Sequence, residues 1–283
     1  MAILTISREY GSGGKEIGQA VSELMGYQYI DRQRILEDMG KVGPQWEEQA
    51  KYFDEIQPST WERYKWSFRG FVALNQYHIL NYALQDNVVI MGRGGNFLLK
   101  EISYVLRVRT VAPIEKRIET VMKWEGETSS EHARWLIEKA DKDMAGTVYM
   151  IYGSQWDDPK QYDMVFDTGI LSYDEIISSI KDKLKKKEQF KTEETKKVLK
   201  LKVLAAKIKA DIAINTKFFI SSLNVDFKEK GLVKYGLILR GVVHDQKDIK
   251  HIEDKAKELS GDVPIECDIQ YRMYQRRNPL KFK

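Results

Sequence analysis

Over the first two thirds of the chain, short apolar runs alternate with stretches whose apolar residues recur every three or four positions. Ile3-Leu4-Thr5-Ile6 is one such run, and it predicts a buried strand. A glycine cluster follows, Gly11-Ser12-Gly13-Gly14, and then Ile17, Ala20, Val21 and Leu24 at helical spacing, stopped by Gly26. Tyr27 to Ile30 reads as a short extended piece. Residues 32–86 are helical in pattern, with a break at Gln57-Pro58-Ser59-Thr60, where Ser59 or Thr60 is placed to cap the next helix. Val88-Val89-Ile90-Met91 predicts a second buried strand, ending in Gly92-Arg93-Gly94-Gly95. Tyr104–Val111 predicts a third, followed by Pro113 and a helix to about Trp124. Residues 131–152 predict a helix, Asp163–Phe166 a fourth strand, and Asp174–Lys187 another helix. Continuous apolar strands alternating with helices imply an α/β fold, a parallel sheet with helices on both faces.

Beyond residue 188 the order changes. A helix over Thr195–Ala210 precedes two alternating strands, Ser222–Glu229 and Lys234–Val243, then a helix over Asp248–Leu259 and a strand over Ile265–Tyr271. This predicts a small α-β-β-α-β domain. The expected division is 1–188, a basic linker at 189–194, and 195–283.

Charge sharpens that boundary. The 283 residues carry 46 Lys and Arg against 42 Asp and Glu, a net +4. Between Lys181 and Lys209, however, twelve Lys stand against four acids. A solvated helix end and linker explains that run, since cations suit a helix C-terminus; attraction of nucleic acid or anionic lipid is the sharper alternative. The one cysteine, Cys267, excludes an internal disulfide framework and a Cys-rich zinc site. No apolar run approaches the length of a membrane span, and the N-terminus lacks a basic region followed by a long apolar stretch, so the expected location is cytoplasmic.

Strand, glycine turn and helix together make an anion site, because converging backbone N–H groups meet the positive end of the helix dipole. Lys15 adds a point charge there. The P-loop template, Gly-x-x-x-x-Gly-Lys-Ser/Thr, is met at Gly14-Lys15, while Glu9 stands for the first glycine and Glu16 for the hydroxyl residue. A tight turn beside a solvated lysine is the alternative reading.

The segment Ile6-Ser7-Arg8-Glu9-Tyr10-Gly11-Ser12-Gly13-Gly14-Lys15-Glu16-Ile17-Gly18 resembles the opening of the cytidylate kinase-like family, a branch of the nucleoside monophosphate kinases. In order along the chain come Tyr29-Ile30-Asp31-Arg32, Phe53-Asp54-Glu55, Val89 through Gly92-Arg93-Gly94-Gly95-Asn96, Val111-Ala112-Pro113 with Arg117, and Trp156-Asp157-Asp158-Pro159 through Asp163 to Asp167-Thr168. The resemblance covers about residues 1–185. It implies phosphoryl transfer from ATP, with Mg²⁺, to a nucleoside monophosphate, cytidine monophosphate by the family's name. Gly11, Ser12, Gly13, Gly14 and Lys15 then hold the donor phosphates, and Asp31 and Arg32 meet the acceptor nucleoside. Arg93 binds the acceptor phosphate, Arg117 opens the lid, and Asp167 and Thr168 border the donor base. Lys15, Arg93 and Arg117 are the catalytic cations so implied.

The chain departs from the family's pattern at several places. Glu16 and Ile17 follow the loop lysine, Met91 stands where an acid precedes Gly-Arg, and Thr120 and Met144 stand where further lid arginines are expected. The tract from Arg8 to Lys15 is one residue longer than the cytidylate kinase loop. The metal ligands are therefore not assigned, although Glu16, Asp141 and Asp143 are within reach of a role, as are Arg8, Lys139 and Lys142 for the missing charge. Trp61, Tyr64, Phe68 and Phe71 follow a helical spacing that predicts core rather than a base-stacking platform. His78, His132, His244 and His251 have no metal-ligand spacing, and Asp157-Asp158 with Asp163 reads as a shaped loop.

Residues 195–272 resemble a BON domain, through Val198–Ala210, Asn224-Val225-Asp226, Gly231-Leu232-Val233 and Leu237 to Val243. That implies binding rather than catalysis, to phospholipid or to another protein, and a protein partner or self-association is the expected form. Two functional classes stay open: a kinase with slow turnover, and a nucleotide-sensing binding or assembly protein that acts through its C-terminal module.

Overall fold

The computed structural model describes residues 2–55, 61–126, 129–217, 219–230 and 233–273. The chain divides into two compact units, Met1–Lys200 and Leu201–Lys283. The first is built on five parallel strands, β1 (Ile3–Arg8), β2 (Gln28–Ile30), β3 (Val88–Met91), β4 (Val105–Val111) and β5 (Met164–Asp167), in the order β2-β3-β1-β4-β5. The buried apolar runs thus become the middle of one sheet. Ile6 pairs with Met91 on one side and Val108 on the other, so β1 is the central strand.

Helices α1 (Gly14–Met25), α2 (Arg32–Val42), α3 (Pro44–Glu55), α4 (Trp66–Leu84), α5 (Gly95–Leu98), α6 (Ile114–Glu125), α7 (Ser130–Tyr152) and α8 (Tyr173–Glu188) fill the crossovers. Their ends are written in the sequence. Gly26, at φ 64°, closes α1 by donating its N–H to the Ser22 and Glu23 carbonyls. Asp31 and Ser129 cap α2 and α7, and Ser172 with Glu175 forms a capping box on α8. Ile17 and Val21 of α1 pack with Ile176, Ile180 and Leu184 of α8 over Leu4, Ile6, Leu106 and Val108.

The aromatic stripe divides. Phe68 and Phe71 are buried, whereas Trp61 is 80% exposed and Tyr64 58%. A single 3₁₀ turn, Glu62–Tyr64, precedes α4, so the helical spacing does not reach back to residue 61. The expected cap at Ser59 or Thr60 lies outside the described residues. His78 is buried on α4, in keeping with a structural role. Part of the lysine run is neutralised locally: Lys187 pairs with Asp163 at 3.5 Å and Lys191 with Asp86 at 2.6 Å. Lys191 belongs to the segment expected as a linker.

Helix α9 (Glu193–Ala213), within which the division between units falls, is followed by β6 (Ile220–Lys230), β7 (Val233–Val243), α10 (Gln246–Ser260) and β8 (Ile265–Tyr271). The three strands lie in the order β6-β7-β8, antiparallel then parallel. Ile208, Ile212, Leu237, Leu239, Ile252 and Ala256 form the core of this unit. Among the described residues, no helix is long and apolar enough to cross a membrane.

Candidate functional site

The loop between β1 and α1 is a cradle made by backbone. Gly11 sits at φ 84° and Gly13 at φ 76°, in the left-handed region that L side chains rarely adopt. A Cβ on Gly13 would overlap the Tyr173 hydroxyl, and one on Gly14 would stand 2.5 Å from Thr110 Oγ1. Ser12 donates its hydroxyl to the Glu9 carbonyl at 2.9 Å and lies 3.0 Å from Thr110 Oγ1, so its side chain secures the turn. Thr168 is buried and donates to the Ser12 carbonyl at 3.1 Å. The cleft, about 410 Å³, is lined by this glycine backbone, by the exposed Lys15, and by Arg8, Glu9, Glu16 and Glu125 among its charged side chains.

Glu9, in place of the template's first glycine, borders the loop cleft and is tied to two arginines. It pairs with Arg109 at 3.3 Å and Arg117 at 3.4 Å and accepts from the Ala112 N–H. Arg117 also donates to the Tyr10 carbonyl at 2.8 Å and pairs with Asp141. This places Arg117 differently from the expected lid cation. It is buried, spent on three partners, and lines none of the clefts described for this site. Tyr10 joins the loop to α6 and α7: its N–H donates to Asp141, its hydroxyl donates to Glu125 at 2.9 Å, and its ring meets Trp124 edge-on. Burial, then the Glu125 bond, pushes the Tyr10 phenol up to about 12, so it keeps its proton.

A second glycine turn leaves β3, beside β1. Gly92, Arg93 and Gly94 all have positive φ, at 65°, 57° and 76°. The Arg93 carbonyl accepts from Asn75 Nδ2 at 3.5 Å and from the Tyr152 hydroxyl at 3.3 Å, which fixes the turn against α4 and α7. Arg93 lines a cleft of about 370 Å³ whose walls include Phe53, Phe71, Met144 and Tyr152, with Lys139 and Asp143 among its polar groups. Asn75 Oδ1 is buried on this wall without a hydrogen-bond partner among the described residues.

Lys15 and Arg93, 78 positions apart in sequence, are therefore carried by neighbouring parallel strands, and Arg8 shares one cleft with Lys15 and another with Arg93. Asp31 is near enough to act on the charge of Arg8, and its carboxylate also caps α2 by accepting from the Arg34 N–H. Arg32 is exposed. Asp167, at the end of β5, accepts from the Gly169 N–H at 2.7 Å and does not line the loop cleft. The Trp156–Asp163 tract is an anchor. Arg109 stacks on Trp156 at 4.1 Å and bonds its carbonyl, Trp156 Nε1 donates to Ser7 at 2.8 Å, and Asp163 holds Arg107. Among the described residues, no group of three or more His, Cys, Asp or Glu side chains is placed to hold a metal ion. Glu16 Oε2, however, is buried without a partner, and Glu16 borders the loop cleft.

Sequence reasoning gave Arg8 only a substitute role and did not single out Asn75, Asn96 or Tyr173. Their signal was available only through β1–β3 adjacency and the space left by glycines.

Residues 3–170 match the Cytidylate kinase-like family. A stretch of 102 residues is 29% identical to the uronate isomerase of Corynebacterium glutamicum, covering 35% of this chain and 19% of that protein. Over 182 residues the chain is 23% identical to the S-adenosylmethionine-dependent nucleotide dehydratase of Lacinutrix mariniflava, covering 62% of this chain and 34% of that protein. The chain thus spans only a minor part of these curated relatives. The crystal structure of an uncharacterized protein from Eubacterium ventriosum superposes with a TM-score of 0.53 at 20% identity, over 65% of this chain and 98% of that one, and shares the fold. A shikimate kinase from Bacteroides thetaiotaomicron aligns with a TM-score of 0.41 at 14% identity, over 65% and 98% of the two chains. With its central β1, its glycine loop and its Gly-Arg-Gly turn all inside the matched span, the chain belongs to the cytidylate kinase-like family.

Proposed function

We propose that the N-terminal unit transfers the γ-phosphoryl group of ATP to a nucleoside monophosphate, with slow turnover. The observation that carries this reading is the pairing of two clefts at adjacent strand ends, one walled by glycine backbone with Lys15, the other holding Arg93. The first suits a polyphosphate, through N–H groups and a point charge. The second suits one phosphate attached to an apolar body, through a guanidinium beside aromatic walls. The relative from Lacinutrix mariniflava is named for a reaction on a nucleotide, and nucleotide is the substrate class we carry over.

In this reaction an oxygen of the acceptor phosphate forms a bond to the γ-phosphorus as the bond to the β-phosphate oxygen breaks and ADP leaves. Gly11 to Gly14 and Lys15 orient the donor, Arg93 orients the acceptor, and Asp31 with Arg32 borders the acceptor side. Mg²⁺, if bound, would supply neutralisation of phosphate charge, and Glu16, whose Oε2 is buried without a hydrogen-bond partner among the described residues, would be the carboxylate to hold it. Tyr173 and Thr168 shape the loop, and Asp167 lies toward the donor base.

The committed state of Arg117 favours a second reading, a nucleotide sensor, because the lid cation that stabilises the transition state in such kinases is spent on Glu9 and Asp141. Calorimetry with ATP and with each monophosphate, run beside a coupled ADP-release assay, separates the two. The kinase reading expects Lys15→Ala to weaken ATP about tenfold or more and Arg93→Ala to weaken the monophosphate similarly, both abolishing release. ATP binding without release for any monophosphate establishes the sensor.

For the C-terminal unit we propose binding to a protein partner or a second copy, as the BON resemblance implies. Both β6 and β8 are edge strands, whose unpaired backbone groups suit strand addition. Sedimentation of the intact chain over a range of concentrations checks self-association; a constant monomer mass leaves the partner.

A further inference from the structure

We propose that Arg8 is a catalytic residue that holds the phosphoryl group in transit, with Asn96 supplying a second donor at the acceptor end. This rests on the kinase reading above and adds the charge that Arg117 does not provide.

Three observations converge on it. Arg8 is the last residue of β1, and two glycines make its path. A Cβ on Gly14 would lie 2.7 Å from Arg8 Cβ, and a Cβ on Gly92 would lie 2.9 Å from Arg8 Nη1. The side chain therefore runs from the phosphate loop to the Gly-Arg-Gly turn of the neighbouring strand. Next, Arg8 lines both the loop cleft with Lys15 and a small recess with Arg93 and Asn96, and no other cation borders both. That recess has room of about 10 Å³, the size of one oxygen rather than a nucleoside. Finally, Asn96 Nδ2 is buried there without a hydrogen-bond partner among the described residues, and the residue is 4% exposed. An orphaned donor of this kind is costly to bury unless a ligand meets it.

Electrostatics agrees with the geometry. The Arg8 guanidinium makes no hydrogen bond among the described residues, while burial and the charge of Arg93 both disfavour its cation. Asp31, Glu16 and Tyr29 act on it only from a distance. Two guanidinium groups and an amide N–H around one oxygen-sized recess are complementary to a phosphoryl oxygen. As the bond from the β-phosphate oxygen to the γ-phosphorus breaks and the bond to the acceptor oxygen forms, Arg8 stays beside the equatorial oxygens where charge is carried.

The test compares ATP with adenosine pentaphosphate, whose chain reaches the acceptor phosphate position without needing the acceptor base. The wild type is expected to bind adenosine pentaphosphate about tenfold more tightly than ATP. Arg8→Gln removes that advantage while ATP affinity stays within about threefold, Arg8→Lys recovers part of it, and Asn96→Ala costs roughly threefold. In the coupled assay Arg8→Gln lowers kcat about a hundredfold or more with little change in KM for ATP. Thermal melts of Arg8→Lys and Arg8→Gln establish that both fold. An Arg8→Gln variant that weakens both ligands equally, or neither, overturns the role of Arg8 and leaves the kinase reading standing. A wild type that binds ATP through Lys15 yet gains nothing from the longer chain overturns the kinase reading itself, and this assignment with it.

Discussion

The two glycine turns of the N-terminal unit leave adjacent strands in the same direction and feed a helix each, yet they are built on opposite plans. The turn after β1 places glycine at both of its positive-φ positions, Gly11 and Gly13, and opens a helix of twelve residues. The turn after β3 places an arginine at φ 57° between two glycines and opens a helix of only four residues. The first offers backbone and a helix dipole, the means proposed for anion binding, with side chains such as Ser12, Glu9 and Thr168 spent on bracing the loop. The second has too short a helix to offer a useful dipole, so it invests backbone strain in aiming one side chain. On the proposed function, these would be two ways of holding phosphate side by side, one general for a chain of phosphates, one specific for a single group.

The largest effect expected of breaking this contrast is at the brace. Arg117→Ala takes the Arg117 cation from Asp141, leaves Glu9 with Arg109 alone and removes the donor to the Tyr10 carbonyl. Removing one partner of a buried pair costs about 3–5 kcal/mol. Both carboxylates are about a fifth exposed, so about 2–4 kcal/mol is expected after allowing for solvent. A thermal melt then shifts down by roughly 5–12 °C. If Arg117 were instead a free lid cation, turnover would fall with the melt unchanged.

A smaller effect separates the turns by ligand. At Gly13 and at Gly94, both at φ 76°, alanine meets left-handed strain of about 1–2 kcal/mol and overlaps a tyrosine, Tyr173 or Tyr152 respectively. Gly13→Ala is expected to weaken ATP about tenfold and spare the monophosphate; Gly94→Ala should do the reverse. Adding Tyr173→Ala to Gly13→Ala relieves the overlap but not the backbone strain, so recovery is partial. Equal losses for both ligands in either variant would show that the turns act as one site.

The fold was largely legible because the strands carry short β-rich runs, unbroken and apolar at Val88–Met91 and interrupted by Arg107 and Arg109 in β4, between stretches of helical spacing. The short α5 left no periodicity to read. The aromatic stripe misled at Trp61 and Tyr64, since spacing shows which positions would share a helix face and not whether the helix extends that far. The site was half legible. Glycines at positive φ and Lys15 announce a phosphate loop locally, but the commitment of Arg117 depends on Glu9 and Asp141, 108 and 24 positions away. No local pattern carries that information. Arg8 is hidden for the same reason: its meaning comes from Gly92 on the next strand.

At Arg93 the contrast is tested by a smaller change in stability. Glycine adopts φ 57° at little cost and alanine does not, so Arg93→Gly should be more stable than Arg93→Ala by about 1 kcal/mol. Both variants lose the guanidinium, and both should lose monophosphate affinity alike. Denaturant midpoints measured beside the titrations check this. Equal stabilities would mean that the turn relaxes out of the left-handed region once the arginine is gone, and that its strain is not stored for function.

The smallest effect concerns the support behind the second turn. Helix α4, whose Asn75 holds the Arg93 carbonyl, also buries His78, and burial lowers the imidazole pKa below its ordinary value. Asp38 acts in the opposite direction and Lys41 in the same one, both as weaker influences than burial. With the folded value below the unfolded value of about 6.5, the unfolded chain binds the extra proton first, so acid favours unfolding. The stabilising difference is present in full above about pH 6.5 and is lost as pH falls through the lower folded value. Melting temperatures between about pH 7.5 and pH 5 should therefore decline, and the decline should flatten in His78→Gln. The paired carboxylate of Asp163 is held low, chiefly through its bonds to Arg107 against the cost of burial, so its contribution is lost in more acid solution, outside that range. Monophosphate affinity should fall with the melt while ATP affinity holds, because α4 braces the Arg93 turn and not the loop after β1. A slope that persists unchanged in His78→Gln would assign the acid sensitivity to other groups and detach α4 from it.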